Sequence, residues 1–413
     1  MQEETRPRVS TRWIIALVCA LIGVGAGWFG PLQILLPAQA QSIAELIGHS
    51  SKEALLAAVT GAGALAAMIA NPLWGALSDT LRPRWGRSPV LIAGVAVGVV
   101  GLLVLSAVES PGGMVAGWLL VQVGMNGPFA ALAAMMADRV PEEQRGLVGA
   151  WFGIAQVLGL VVGTAVAVAS GEGPAGYVAI AIAVPLLMIA IVLSNRAQPE
   201  GDPAASTERL AADTGSLRGI TLHGLRPTSA YVGVWAMRIL MNMVNALIML
   251  YLYYYLADGV GVASEGVGTW VLIITVAAAL ISVVAAGIGG SLSDRLGRRR
   301  VFCGAAAVLL IIAGITLATQ PPLWVVVTAC VVFGVGQGLY LAVDLAMLTS
   351  VLPDESTRAT MLGIGNIASA LPQVLAPVVA APLVLAGGYP LMYGVTAALA
   401  VAALALTPFL KVR

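Results

Sequence analysis

A short basic stretch occurs twice in this chain. Gly75-Ala-Leu-Ser-Asp79 is followed by Arg82, Arg84, Gly86, Arg87 and Pro89, and Gly290-Ser-Leu-Ser-Asp294-Arg-Leu-Gly-Arg-Arg-Arg300 repeats the pattern far downstream. Each copy holds one carboxylate among several arginines and reads as a loop clamped between two long apolar segments. The aspartates stand 215 positions apart in a chain of 413 residues. A second echo has nearly the same spacing. Asp138-Arg-Val-Pro141-Glu-Glu-Gln-Arg145-Gly corresponds to Ser350-Val-Leu-Pro353-Asp-Glu-Ser-Thr-Arg358, with the prolines 212 apart. The chain is therefore a duplication and must fold as two similar halves. Ser350 stands where Asp138 would be, so a charge network in the second half is expected to be weaker or differently built.

The segments between the basic stretches set the fold class. Apolar runs extend from Trp13 to about Leu36, then over 54–74, 90–108, 114–136, 147–169, 177–195, 229–256, 267–289, 301–319, 323–348, 360–385 and 389–409. Each is about as long as the ~20 residues a helix needs to cross a bilayer core. They are too long for barrel strands, and a helix satisfies its own backbone in lipid. Hydrophobic residues make up 59% of the chain and charged residues 10%, against roughly 25% charged in a soluble domain. The expectation is an all-α membrane protein of twelve transmembrane helices in two pseudo-symmetric six-helix bundles. The bundles cover 1–195 and 229–413, with a polar linker over 196–228. Ala38-Gln-Ala40 imitates a signal-peptidase site, but the first run is too long for a signal sequence and reads as a retained span. Cys19, Cys303 and Cys330 lie in apolar runs without CxxC spacing and read as small packed residues.

Lys and Arg set the orientation. With the N-terminus inside, 19 of the 21 basic residues fall on inside segments, Lys52 lies outside and Arg238 lies within a span. Both termini and the linker are then cytoplasmic, in a multi-pass protein of the cell membrane. A net charge of +1 does not point to nucleic acid.

The duplicated stretch resembles the signature loop of major facilitator superfamily transporters, which joins the second and third helices of each six-helix half. The resemblance covers nearly the whole chain. Four patches narrow it: Gly27-Trp28 with Leu32-Gln33 and Pro37 in the first run, the seven positions from Asp79 to Gly86, Gly127-Pro128 in the fourth run, and Gly336-Gln-Gly338-Leu-Tyr340 with Asp344 in the tenth. These are similar to the sucrose–proton symporters and their glycoside-transporting relatives. The resemblance implies a cytoplasmic latch in the outward-open state, built here from Asp79, Arg87, Asp138, Arg145, Asp294 and Arg298. Asp79 would face the helix start near Thr360, and Asp294 the start near Gly146.

Two charges are embedded in apolar runs. Arg238 lies about ten residues into the seventh, and Asp344 lies nine before Pro353. At ~1.5 Å per residue both sit at similar depth. A lone ion there costs at least ~2.5–3.5 kcal/mol, so the two are expected to pair. The pair reads as a structural bridge, as a proton-coupling site at Asp344, or as a contact to substrate. The first half offers no embedded carboxylate, only neutral polar groups. Trp28, Gln33, Gln122 and Asn126 there, with Asn242, Asn245, Gln337, Tyr340 and Asn366 in the second half, are the candidate substrate-binding residues. Amides and aromatic faces near the midplane suit a polyhydroxylated neutral ligand, and in this fold the site lies between the halves. Gly149, Gly153, Gly159 and Gly163 form small-xxx-small pairs that permit close helix approach.

The sequence thus reads as a secondary transporter, a monomer moving a small polar solute, a sugar or glycoside, by alternating access with proton symport. Its partners are the small-molecule substrate, protons and membrane lipid. The alternative is a proton-coupled exporter of drugs or metabolites, which the lack of a Gly-Pro-x-x-Gly-Gly ending in the fifth run disfavours. No cofactor, metal cluster or catalytic set is expected, and the chain is not read as an enzyme.

Overall fold

The computed structural model describes residues 8–48, 51–196, 228–352 and 358–410, and these are all-helical. The expected linker lies outside the described residues. In chain order the helices are α1 (Thr11–Gly30), a π-helical turn (Pro31–Leu35), α2 (Leu36–Ile47), α3 (Lys52–Trp85), α4 (Ser88–Ala107), α5 (Pro111–Arg139), α6 (Glu142–Ala169) and α7 (Pro174–Arg196). There follow α8 (Ser229–Leu250), a short piece at Leu252–Tyr254 with a second π turn (Tyr255–Gly259), α9 (Ser264–Leu296), α10 (Arg299–Ala318), α11 (Leu323–Ser350) and α12 (Arg358–Leu406). Eleven uninterrupted helical stretches among the described residues are long and apolar enough to cross a membrane. The last contains two spans, because α12 breaks at Gly387 and Gly388, where Gly388 takes φ 69°.

The first run is longer than expected. α1, the π turn and α2 continue one another to Ile47. Pro31 cannot donate to the helical ladder, and Leu36 N–H reaches back five residues to the Pro31 carbonyl, which opens the π turn that carries Gln33.

The basic stretches are also not the loops they were read as. α3 stays helical through Asp79, Arg82 and Arg84 to Trp85, and α9 through Asp294 to Leu296. The true reversals are two residues long, Gly86-Arg87 and Gly297-Arg298. Gly86 (φ 67°) and Gly297 (φ 60°) supply the left-handed conformation that ends a helix sharply. Apolar content falls before helicity does, because Ala, Leu and Arg remain good helix formers in water.

Contacts divide the chain into two compact units. One comprises Met1–Leu46 with Ala62–Gly224, the other Ile47–Gly61 with Leu225–Arg413. The first turns of α3 are thus counted with the second unit. In the first unit α1 packs on α6 and α7, and α4 on α5 and α7. In the second, α8 packs on α12, α10 on α11 and α12, and α9 on α11. The pattern repeats: the first helix meets the last two spans, and the third meets the fourth and the last.

Small residues set the closest crossings. A Cβ on Gly124 would lie 2.2 Å from the backbone N of Gly98, and one on Gly163 would lie 2.7 Å from Ala26 Cα. Gly159 meets Gly25 in the same way, at 2.8 Å. The expectation for α6 is therefore corrected in part. Gly159 and Gly163 form a close crossing with α1, whereas a Cβ on Gly149 or Gly153 would meet nothing within 4 Å.

Candidate functional site

The reversal at Gly86 turns Arg87, the N-cap of α4, back against the end of α3. Arg87 Nη1 donates to Ser78 Oγ at 2.8 Å and to Asp79 Oδ1 at 2.8 Å, while its Nε donates to Asp138 Oδ2 at 2.8 Å. Arg82 Nη1 adds a bond to Asp138 Oδ1 at 3.1 Å. One guanidinium fork thus ties the ends of α3 and α5 to the start of α4. Arg87 is only 4% exposed. Burial works against its charge, but the hydrogen bonds and charges of Asp138 and Asp79 outweigh it and raise its pKa above the ordinary arginine range. Arg145 is exposed on the first turns of α6, and the Thr360 side chain lies outside the described residues.

The second copy is built differently. Asp294 is mostly exposed and stands 4.0 Å from Arg299, so the ion contact at this reversal falls on Arg299 and not on the expected latch residue Arg298. Arg299 also donates to the Ala346 carbonyl at 3.1 Å. Ser293, the counterpart of Ser78, has a buried hydroxyl without a partner. The reason lies at position 350. Ser350 Oγ bonds the Met347 carbonyl of its own helix at 2.8 Å, so no carboxylate from α11 draws the Arg298 side chain inward.

Deeper in the second unit, Arg238 on α8 reaches Asp344 on α11, with Nη1 3.0 Å from Oδ2. Arg238 is 5% exposed. Its Nη2 donates to Ser369 Oγ on α12 at 2.7 Å, and Tyr340 OH donates to Asp344 Oδ1 at 2.7 Å. Both carboxylate oxygens are engaged, while Arg238 Nε is buried without a hydrogen-bond partner. Gln337, Tyr340 and Asp344 share one face of α11 at helical spacing. Tyr340 is fully buried, so its ring presents no open face for a ligand here, and its hydroxyl is spent on Asp344. Asn242 Nδ2 donates to the Arg238 carbonyl at 2.8 Å. Gln337 keeps a buried Oε1 without a partner, Asn245 is partly buried, and the Asn366 side chain lies outside the described residues.

In the first unit two of the amides are tied to each other and to the backbone. Asn71 donates to Asn126 Oδ1 at 3.1 Å, and Asn126 donates to the Gln122 carbonyl at 2.7 Å. Asn126 is thereby held between α3 and its own helix. Trp74 Nε1 donates to the Val123 carbonyl at 2.7 Å. Trp28 is partly buried and tilts against Phe129 with centroids 5.4 Å apart, and Phe129 meets Phe152 edge-on at 5.9 Å. Gln33 and Gln122 are partly buried.

Residues that sequence reasoning passed over also join these networks. Ser369 is a polar partner that no pattern singled out, whereas Ser78 and Arg82 stand in the duplicated basic stretch without an assigned role. In the second unit, Lys52 Nζ lies 2.7 Å from Asp258 Oδ2, which also accepts from Tyr389 OH at 3.0 Å. Lys52 being the lone outside base is the only signal that could have found this contact. No cluster of three or more metal-ligating side chains occurs among the described residues.

Comparison with known proteins adds the following. The model of the family described as Major Facilitator Superfamily matches residues 14–273 and 234–413. A curated relative, the Ectoine/proline transporter ProP of Corynebacterium glutamicum, is 25% identical over 327 residues, covering 71% of this chain and 63% of that protein. The chain therefore spans less than two thirds of that relative's length. Among solved structures, a D-xylose-proton symporter superposes with a TM-score of 0.73 at 15% identity, covering 96% of this chain and 97% of the other. The nucleoside transporter NupG superposes with a TM-score of 0.74 at 14% identity, covering 97% and 100%. At such identities the likeness shows the fold.

Proposed function

This chain belongs to the major facilitator superfamily, and on that premise, a membrane transporter and not an enzyme, we propose that it is a proton-coupled symporter of a small polar solute, a sugar or glycoside, working by alternating access in the cell membrane. The observation that carries the reading is the ion pair of Arg238 and Asp344, buried inside a transmembrane bundle and completed by Tyr340. Burial in a low-dielectric site favours the neutral acid, whereas the adjacent guanidinium and hydroxyl favour the carboxylate. A rearrangement that moves Arg238 away tips that balance and loads a proton on Asp344. The return releases it.

The substrate class rests on the neutral hydrogen-bonding groups. Gln33 and Gln122 with Trp28 in the first unit, and Asn242, Asn245 and Gln337 in the second, offer donors and acceptors with no net charge, as a polyol needs. The unpartnered Gln337 Oε1 is an acceptor that a ligand hydroxyl would satisfy. The Asp79–Arg87–Asp138 network belongs to the cytoplasmic latch, and the arginine distribution supports both termini on the same side.

One observation favours a second reading. Arg238 and Asp344 together offer a partner for each end of a zwitterion, and the relative ProP is named for ectoine and proline. The test is uptake into vesicles of defined interior, with and without an imposed proton gradient, against sugars, glycosides, proline and ectoine. Gradient-driven accumulation of a sugar or glycoside supports the first reading. Accumulation of proline or ectoine alone supports the second. Outward pumping of amphipathic cations alone returns the exporter.

A further inference from the structure

The end of α3, the start of α4 and the end of α7 enclose a cleft of about 670 Å³ lined by Arg82, Arg84, Trp85, Arg87, Ile92 and Asn195 among others. Its charge is not balanced from within. Arg82 and Arg87 are engaged by Asp138 and Asp79. Arg84 instead lies over the Trp85 ring, 5.5 Å from its centroid, with no carboxylate partner among the described residues. Trp85 is 62% exposed, a large aromatic presented at the polar end of a transmembrane helix. Such side chains sit where headgroups meet acyl chains.

Below the cleft the surface is apolar and outward-facing on two helices. On α4 the exposed residues Ile92, Val100 and Leu103 recur at helical spacing, and on α7 Leu186, Ile189 and Leu193 do so. α4 and α7 pack together, so both exposed rows belong to one helix pair whose ends line the cleft. A cationic cleft at the end of two packed helices that each carry exposed apolar residues has the two-part chemistry of a phospholipid. We propose that this cleft seats an anionic phospholipid, its phosphate against Arg84, its glycerol region on Trp85 and its acyl chains along α4 and α7. A basic site at a helix end attracts anionic headgroups over zwitterionic ones. The site lies wholly within the first unit and is independent of the transport reading.

The test is native mass spectrometry of the full-length protein from micelles holding equal amounts of phosphatidylglycerol and phosphatidylcholine, with three variants. Arg84→Gln removes the proposed phosphate partner, Arg84→Lys keeps a cation, and Arg295→Gln removes an exposed arginine elsewhere. Arg84 is exposed, so none of these changes disturbs a packed core. The expected result is preferential retention of phosphatidylglycerol that falls about fivefold in Arg84→Gln, the equivalent of roughly 1 kcal/mol for one arginine near an anionic surface. It stays near wild type in Arg84→Lys and Arg295→Gln. Excess inorganic phosphate leaves the retained lipid in place, because the apolar stripe holds half of the ligand. Equal retention of both lipids by the wild type overturns the proposal. So does an equal loss in Arg84→Gln and Arg295→Gln, and so does displacement by phosphate alone.

Discussion

Arg238 Nη1 and Asp344 Oδ2 are 3.0 Å apart inside the second unit, on helices α8 and α11, with Ser369 accepting from Arg238 Nη2 and Tyr340 donating to Asp344 Oδ1. Asp344→Asn removes the only carboxyl of this group. The expected outcome in vesicles is loss of gradient-driven accumulation with retained equilibrium exchange of labelled substrate. Unchanged accumulation under a proton gradient would remove the coupling role and leave a structural bridge.

The same pair makes a prediction about stability. Removing one partner strands a buried charge and costs about 3–5 kcal/mol, whereas replacing both with apolar residues of similar volume is often close to neutral. Arg238→Ala is therefore expected to lower the thermal midpoint in detergent markedly. The double change Arg238→Met with Asp344→Leu should recover most of that loss. If the losses in Arg238→Met and Asp344→Leu, each made alone, simply add in the double, the residues do not interact energetically.

Arg87 presents a different geometry, a planar fork that satisfies Ser78, Asp79 and Asp138 at once. A lysine there carries the same charge but cannot reproduce the fork. Arg87→Lys should thus resemble Arg87→Ala in stability, each losing roughly 1.5–3 kcal/mol for a charge-assisted hydrogen bond to the better-shielded Asp138. Asp79 is about half exposed, so Asp79→Asn is worth only ~0.2–1 kcal/mol. Such a change shifts the balance of two open states up to about fivefold. Cysteine accessibility from each side of the membrane measures that ratio, and no change would take the latch out of the mechanism.

α6 offers an internal comparison. Gly163→Ala places a methyl 2.7 Å from Ala26 Cα and must push α1 and α6 apart. Gly153→Ala meets nothing within 4 Å and gains up to ~1 kcal/mol of helix propensity. Thermal unfolding of the two variants should move in opposite directions. A fall of similar size in both would mean that the crossing does not depend on Gly163.

Much of this architecture is legible in the residues alone, for a simple reason. A bilayer imposes a minimum length and an apolar composition on every span, and a gene duplication prints its basic stretches twice. The contact between Arg238 and Asp344 is legible too, since two lone charges at matched depth have few alternatives in lipid. What the runs do not disclose is where helices stop. α3 outlasts its apolar run by eleven residues, from position 74 to Trp85, because helix propensity and lipid exposure end at different places.

The residues by themselves determined the fold class, the repeat and the presence of an embedded ion pair, because those follow from local hydropathy and from the cost of charge in hydrocarbon. Tertiary structure alone decided which partners the side chains took. Arg82, Arg84 and Arg87 are alike on paper, yet two bind carboxylates and one lies on an indole, because the left-handed turn at Gly86 aims Arg87 inward and leaves Arg84 on the outer face. Gly153 and Gly163 are alike as well, and only the line along which α1 crosses α6 makes one of them indispensable. Position along a chain carries periodicity, but selection among equivalent groups needs a three-dimensional neighbour.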